Sequence, residues 1–165
     1  MGRDCCKDPG KPFASFYDIH EIIEKTLQLF SFQLEDQKIN IEREFQLNLP
    51  KIYADQDQIQ HMIMNIVLNA IQSMPEGGKL RFMTSFPPEG ERVRLAISDT
   101  GKGISQETLT KLFKPFYSTK AKGAGLGLAI AEKIIQEHGG KVAISSKVDV
   151  GTTVEISLPI SPGRE

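Results

Sequence analysis

The stretch "MNIVLNAIQSM", residues 64–74, reads as an amphipathic helix built for packing, yet it carries two asparagines one turn apart. At about 100° per residue, Ile59, Met62, Ile63, Ile66, Val67, Ala70, Ile71 and Met74 share one broad apolar arc. Gln58, His61, Asn65, Asn69 and Gln72 fall on the neighbouring arc. The amides therefore form a polar seam beside the core face. A buried amide without partners costs roughly 1–3 kcal/mol. Either backbone or water satisfies the pair, or the seam faces a ligand. An amide oxygen is a hard, neutral donor suited to Mg²⁺, an ion that keeps several waters and usually sits between protein and phosphates. The helix alone supports both readings.

Outward from this helix the elements alternate. Asp18 precedes the helical pattern IHEIIEKTLQLFSFQLEDQ, with Ile19, Ile22, Ile23, Thr26, Leu27, Leu29, Phe30 and Leu34 mostly on one face. The alternating run INIEREFQLNLP predicts a half-buried strand that ends at Pro50, and KIYA a short strand after it. Asp55 and Gln58 form a D-x-x-Q capping box for the central helix over 56–74, which Pro75, Gly77 and Gly78 stop. KLRFMTSF and RVRLAISD predict a hairpin across PPEGE. A turn, DTGKGIS, leads to a short helix, QETLTKLF, then a loop, KPFYSTKAKGAG, and the helix LGLAIAEKIIQEHGG. KVAISSKVD and GTTVEISLP close the chain as two strands with a tight turn near Asp149 and Gly151. The pattern predicts an α/β two-layer sandwich: a mixed sheet with helices on one face.

The 165 residues are 39% hydrophobic, enough for one domain with a real core. A formal net charge of -1 gives no electrostatic reason to expect nucleic acid or an anionic membrane as partner. No apolar run approaches the roughly 18–20 residues of a spanning helix, and the N-terminus has no apolar signal region. Cys5 and Cys6 are adjacent and stand at no metal-ligand spacing. Residues 1–13, broken by Gly10 and Pro12, read as a flexible leader, 14–160 as the domain, and 161–165 as a tail.

Two glycine segments and a loop bear on the asparagine pair. In "DTGKGI", residues 99–104, Asp99 ends a strand, and Gly101 and Gly103 permit close approach. This is either a strand-to-helix turn with a local Asp cap or a carboxylate placed to accept a hydrogen bond from a purine's exocyclic amine. In "KGAGLGLAI", residues 122–130, Gly123, Gly125 and Gly127 enter a helix, a place that favours phosphate; a plain hinge reads equally. It is neither a P-loop nor a dinucleotide fingerprint. Between them, KLFKPFYSTKAKG mixes Phe113, Phe116 and Tyr117 with Lys114, Lys120 and Lys122, as a mobile lid or an ordinary surface loop would.

In this order the segments resemble the ATP-binding catalytic domain of sensor histidine kinases, within the gyrase, chaperone, kinase and mismatch-repair (GHKL) superfamily. "NIVLNAIQSM" resembles the N box, "DTGKGI" the G1 box, "LFKPFYSTK" the F box, "GAGLGLAI" the G2 box and "GTTVEISLP" the last strand. The wording "PFYSTK" is most similar to the nitrogen-regulator-like branch. The resemblance covers about Phe16 to Pro159 and implies the Bergerat ATP-binding fold. It implies ATP and Mg²⁺ as cofactors, with Asn69 as the metal ligand and Asn65 one turn back in the same pocket. Asp99 would read the adenine amine, with Gly101, Gly103 and Ile104 beside the base. Residues 113–123 would be the lid, bringing Phe116, Lys120 and Gly123 to the nucleotide. Gly125, Leu126 and Gly127 would face the phosphates, and Thr153 would complete the site. Asn65, Asn69 and Lys120 would be the catalytic residues.

The resemblance also implies a reaction. ATP-hydrolysing members usually carry a Glu four residues before the metal-binding Asn; here Asn65 stands there, and an amide cannot act as a general base. That favours transfer of the γ-phosphate to a protein. The alternatives are a GHKL ATPase, an anti-sigma-like serine kinase, or a docking module without activity. Gln72 departs from the basic residue common three places after the metal-binding Asn, which shifts phosphate neutralisation to Lys120 or Lys122. Of the three histidines, His20 stands 45 residues before Asn65, too close to leave room for an acceptor hairpin. His61 reads as packing near the pocket, and His138, beside Gly139 and Gly140, as a helix C-terminal residue that would suit the dipole when charged. The acceptor histidine is therefore expected on a separate dimerisation and phosphoacceptor domain, with a response regulator receiver domain downstream. The chain is expected to be monomeric and cytoplasmic, with no nucleic acid partner and no direct membrane contact.

Overall fold

The computed structural model describes residues 14–88, 90–111 and 124–162. The expected leader 1–13 and residues 163–165 of the expected tail lie outside them. The chain runs β1 (Ala14–Tyr17), α1 (Ile19–Leu29), α2 (Ser31–Asp36), β2 (Ile39–Phe45), β3 (Ile52–Asp55), α3 (Gln56–Ser73), β4 (Gly78–Ser85), β5 (Arg92–Asp99), α4 (Gln106–Leu109), α5 (Ala124–Glu137), β6 (Lys141–Lys147) and β7 (Gly151–Pro159). A five-stranded sheet has the order β2-β4-β5-β7-β6, and β1 pairs with β3 apart from it. β2 lies parallel to β4, because α3 carries the chain back between them. The other three pairings of the large sheet are antiparallel. This is the mixed, mostly antiparallel α/β sandwich the sequence predicts.

The pleat sorts the strands into two faces. Leu80 and Phe82 of β4, Leu95 and Ile97 of β5, and Ile156 and Leu158 of β7 are buried toward the helices. They join one core with the apolar arc of α3 and with Ile134 and Ile135 of α5. Each large apolar side chain buried there contributes roughly 1.5–3 kcal/mol. The opposite face is polar. Its Arg81 guanidinium hydrogen-bonds Glu42 at 2.9 Å and holds that carboxyl below the usual carboxylate range.

Three local readings are corrected by the structure, and one strand, β1, is added to them. The first helix is broken: Phe30 leaves helical geometry (φ −103°, ψ 6°), so Leu34 reaches the core while Leu29 stays exposed. β2 stops at Phe45, because Asn48 turns left-handed (φ 58°) and Leu47 is left exposed in the turn. β1 was not visible in the hydrophobic pattern, since Phe16 is itself half exposed against Tyr53. The capping box is half built. Asp55 Oδ1 accepts from the N–H groups of Asp57 (3.0 Å) and Gln58 (3.4 Å), but the Asp55 N–H donates to His138 Nε2 at 3.1 Å rather than to Gln58.

Candidate functional site

β5 brings Asp99 to the edge of the core. Val93, Leu95 and Ile97 point to the helices, so Asp99, at the same phase, carries that face past the strand end opposite Thr152 of β7. Its Oδ1 accepts from the Gly101 N–H at 2.9 Å and lies 3.3 Å from the Ser73 hydroxyl at the end of α3. Those donors fix the direction of the carboxylate. The glycines of this turn are demanded by packing. A Cβ on Gly101 would overlap Ser73, and one on Gly103, whose φ is 71°, would overlap the Lys147 carbonyl of β6. The turn is thus clamped between α3 and β6, and it holds Asp99 in place.

A cavity of about 330 Å³ opens beside it. Its walls are apolar: Ile66, Ala70, Ile97, Ile104, Ile144 and Val154. Polar groups enter at few points, namely Asn69, Ser73, Asp99, Lys102, Thr108 and Thr152. The size is at the small end of ligand pockets, roughly 300–1,000 Å³, and the lining suits a flat apolar group with one directed hydrogen bond.

The seam of α3 supplies the other end. The Nδ2 atoms of Asn65 and Asn69 are buried and have no hydrogen-bond partner among the described residues. Asn69 lines the cavity. Asn65 faces α5, with its Oδ1 3.7 Å from where a Cβ on Gly127 would stand. Among the described residues no three His, Cys, Asp or Glu side chains cluster as a metal cage. A divalent cation here would therefore take a neutral amide oxygen together with phosphate and water ligands, which is how Mg²⁺ is commonly held.

Of the residues singled out by sequence, Asn69, Asp99, Gly103 and Ile104 line the cavity, and Asn65, Gly101 and Gly127 stand against its supports. Thr153 does not line it. The pleat turns Thr153 to the opposite face, where its hydroxyl meets Ser98 at 2.6 Å, and Thr152 lines the cavity in its place. Gly125 and Leu126 fall in the first turn of α5. Phe116, Lys120, Gly123 and the expected lid lie outside the described residues. His61 is exposed on α3, and His20 stacks on Phe45 and contacts the Thr84 hydroxyl at 2.7 Å. Ser73 and Lys102 stand inside the N-box-like and G1-box-like segments but carry no role there that the resemblance implies, and Thr108 belongs to none of those segments; Thr152 is recoverable from the phase of Val154 and Ile156.

Residues 54–162 match the family described as histidine kinase-, DNA gyrase B-, and HSP90-like ATPase. The sensor histidine kinase ZraS of Escherichia coli (strain K12) is 34% identical over 148 residues, which are 90% of this chain and 31% of that protein. The chain thus spans about a third of that curated relative's length. The catalytic domain of histidine kinase ThkA matches with a TM-score of 0.80 at 30% identity, over 88% of this chain and 95% of that one. ThkA in complex with the response regulator protein TrrA gives 0.77 at 28% identity, over 90% and 42% of the two chains. Full-length ShkA in complex with AMPPNP also gives 0.77, at 27% identity, over 88% of this chain and 31% of that one.

Proposed function

The chain belongs to the family of histidine kinase-, DNA gyrase B- and HSP90-like ATPases, and on that footing we propose that it is the catalytic domain of an ATP-dependent protein-histidine kinase. It binds Mg-ATP and donates the γ-phosphate to a histidine on a dimerisation and phosphoacceptor domain, from which a response regulator receiver domain is phosphorylated. The reaction belongs in the cytoplasm, where ATP is available. The observation that carries this reading is one cavity that sets an oriented carboxylate beside apolar walls and has Asn69 in its lining, with Asn65 one turn back on the same helix; the nitrogens of both amides have no hydrogen-bond partner among the described residues.

The chain's own groups divide the work. Asp99 accepts a hydrogen bond from the adenine amine, and Ile97, Ile104 and Val154 enclose the base and exclude water. Asn69 offers its amide oxygen to the metal, and Asn65, beside Gly127, positions the phosphate end. Lys120 and Lys122 are assigned to the phosphates through the resemblance. When bound, Mg-ATP supplies the transferable phosphoryl group and neutralises part of its charge; the protein contributes mainly position and electrostatics. Asn65 cannot take a proton from water at neutral pH, so transfer to protein is favoured over hydrolysis.

The test is incubation with γ-labelled Mg-ATP and the phosphoacceptor domain of a related kinase such as ZraS. The expected product is labelled protein whose phosphate is stable to alkali and lost in acid, as a phosphohistidine is. Rapid release of free phosphate with no protein label would favour a hydrolase instead.

A further inference from the structure

We infer that His138 is a positioning residue for the nucleotide site, acting through the start of α3; this rests on the Mg-ATP reading above. His138 follows the last residue of α5 and is 1% exposed. Its Nδ1 lies 2.7 Å from the Ile134 carbonyl, and its Nε2 3.1 Å from the Asp55 backbone nitrogen. A carbonyl only accepts and an amide N–H only donates, so the ring proton sits on Nδ1 and Nε2 accepts. Both contacts require a neutral imidazole in that one tautomer. His138 stands at the helix C-terminus as its sequence position implies, but these contacts hold the ring neutral, so the favourable dipole interaction of a charged ring is not used here.

The contact joins the two helices that carry the phosphate end of the site. α3 and α5 pack together, and two contacts spaced along the pair make them antiparallel. Asp55, capping the start of α3, meets His138 at the end of α5, while Asn65, ten residues on, meets Gly127, eleven residues before His138. At about 1.5 Å per residue the two contacts lie roughly 15 Å apart along the pair. The far end of α5 is itself anchored: Gly139 takes φ 71°, and Gly140 packs so closely on the Ser157 carbonyl of β7 that a Cβ would overlap it. His138 passes that anchorage to α3, whose first turn Asp55 also caps through its side chain. It thereby sets the axial register of α3 against α5, and with it the spacing of Asn65 and Asn69 from the glycine turn. Displacing such groups by about 1 Å can cost on the order of 100-fold in rate.

The test compares Mg-ATP affinity of the wild type, His138→Gln and His138→Leu, at a temperature where circular dichroism shows each folded. Gln can place a carbonyl oxygen near the Nε2 position and so keep an acceptor for the Asp55 N–H; Leu keeps bulk only. The expected result is about tenfold weaker binding for Leu and at most about threefold for Gln, the difference one hydrogen bond makes. Equal affinity for Leu and Gln, whether both match the wild type or both fall alike, would overturn the inference. Should the Leu variant not fold, amide exchange in the wild type decides it. Linkage requires a nucleotide that depends on the clamp to strengthen the clamp, so saturating Mg-ATP should slow exchange at Asp55 several-fold more than at Ile41 on the far edge strand. Equal slowing at both would overturn it. Failure of the wild type to bind Mg-ATP at all would sink the functional reading and this inference together, an outcome distinct from unaltered binding by the Leu variant.

Discussion

In the cavity Asp99 takes hydrogen bonds from its own chain, from the Gly101 N–H and the Ser73 hydroxyl; along α3 the amide nitrogens of Asn69, which lines the cavity, and of Asn65, one turn back against Gly127, are buried with no partner among the described residues. The carboxylate is furnished by folding and helps to hold the turn that carries it. The amide nitrogens find no such compensation among the described residues, and a buried polar group left unpaired keeps its desolvation penalty. On the proposed reading the first of these is a preformed reader of shape and hydrogen bonding, and the second is completed by the ligand.

Opposite stability effects are the sharpest way to break this contrast. Asp99→Ala leaves the Gly101 N–H without its carboxylate and should lower the stability of the ligand-free protein by about 1–3 kcal/mol in urea titrations, besides removing nucleotide binding. Asn69→Leu should act the other way, raising ligand-free stability by about 1 kcal/mol while it weakens Mg²⁺-dependent binding. A loss of stability in the second variant would show that the amide already has a partner, and the two ends would no longer differ. Next in size is a paired test of the strand phase. Thr152→Val should weaken nucleotide binding by about threefold to fivefold, and Thr153→Val, one residue along and on the other face, should leave it unchanged. Equal effects would remove the reassignment of that position.

The smallest effect is expected far from both ends, on the outer face of the sheet. The Arg81 guanidinium lowers the Glu42 pKa, so this carboxylate stabilises the fold above the ordinary Glu value of about 4.3, and the contribution fades as pH falls through the lowered folded value. Glu42→Gln should cause a slight drop in Tm at neutral pH that disappears in strong salt and in acid. A large or salt-insensitive drop would mean that the pair matters more than an exposed one can.

The parts of the molecule that were readable from sequence are those where one residue's environment is decided by its near neighbours. The apolar arc of α3 is buried as its period required, and Asp55 caps the helix as its spacing to Gln58 suggested. The strands of the large sheet and the turn at Asp149 follow from alternation and glycine placement. What was hidden depends on distant partners. The Asp55 N–H finds His138 83 residues away, and no local pattern marks that bond. β1 is four residues with a half-exposed Phe16, so its pairing with β3 leaves no periodic trace. Gly101 and Gly103 are legible as glycines with a purpose, yet their neighbours, Ser73 and Lys147, come from elements far along the chain. Thr153 stands in the segment that resembles the last strand of the family, but the strand's own alternation turns Thr152 to the cavity and Thr153 to Ser98.

The measurement that bears most directly on the central claim is a calorimetric titration of ATP into the wild type and Asp99→Asn, each with and without Mg²⁺. Saturable binding by the wild type, strengthened by Mg²⁺ and weakened on the order of 100-fold by the substitution, is the predicted result, since Asn cannot offer a carboxylate to the adenine amine. Binding by Asp99→Asn equal to the wild type, or none by either at millimolar ATP, would contradict the assignment of this cavity to the nucleotide.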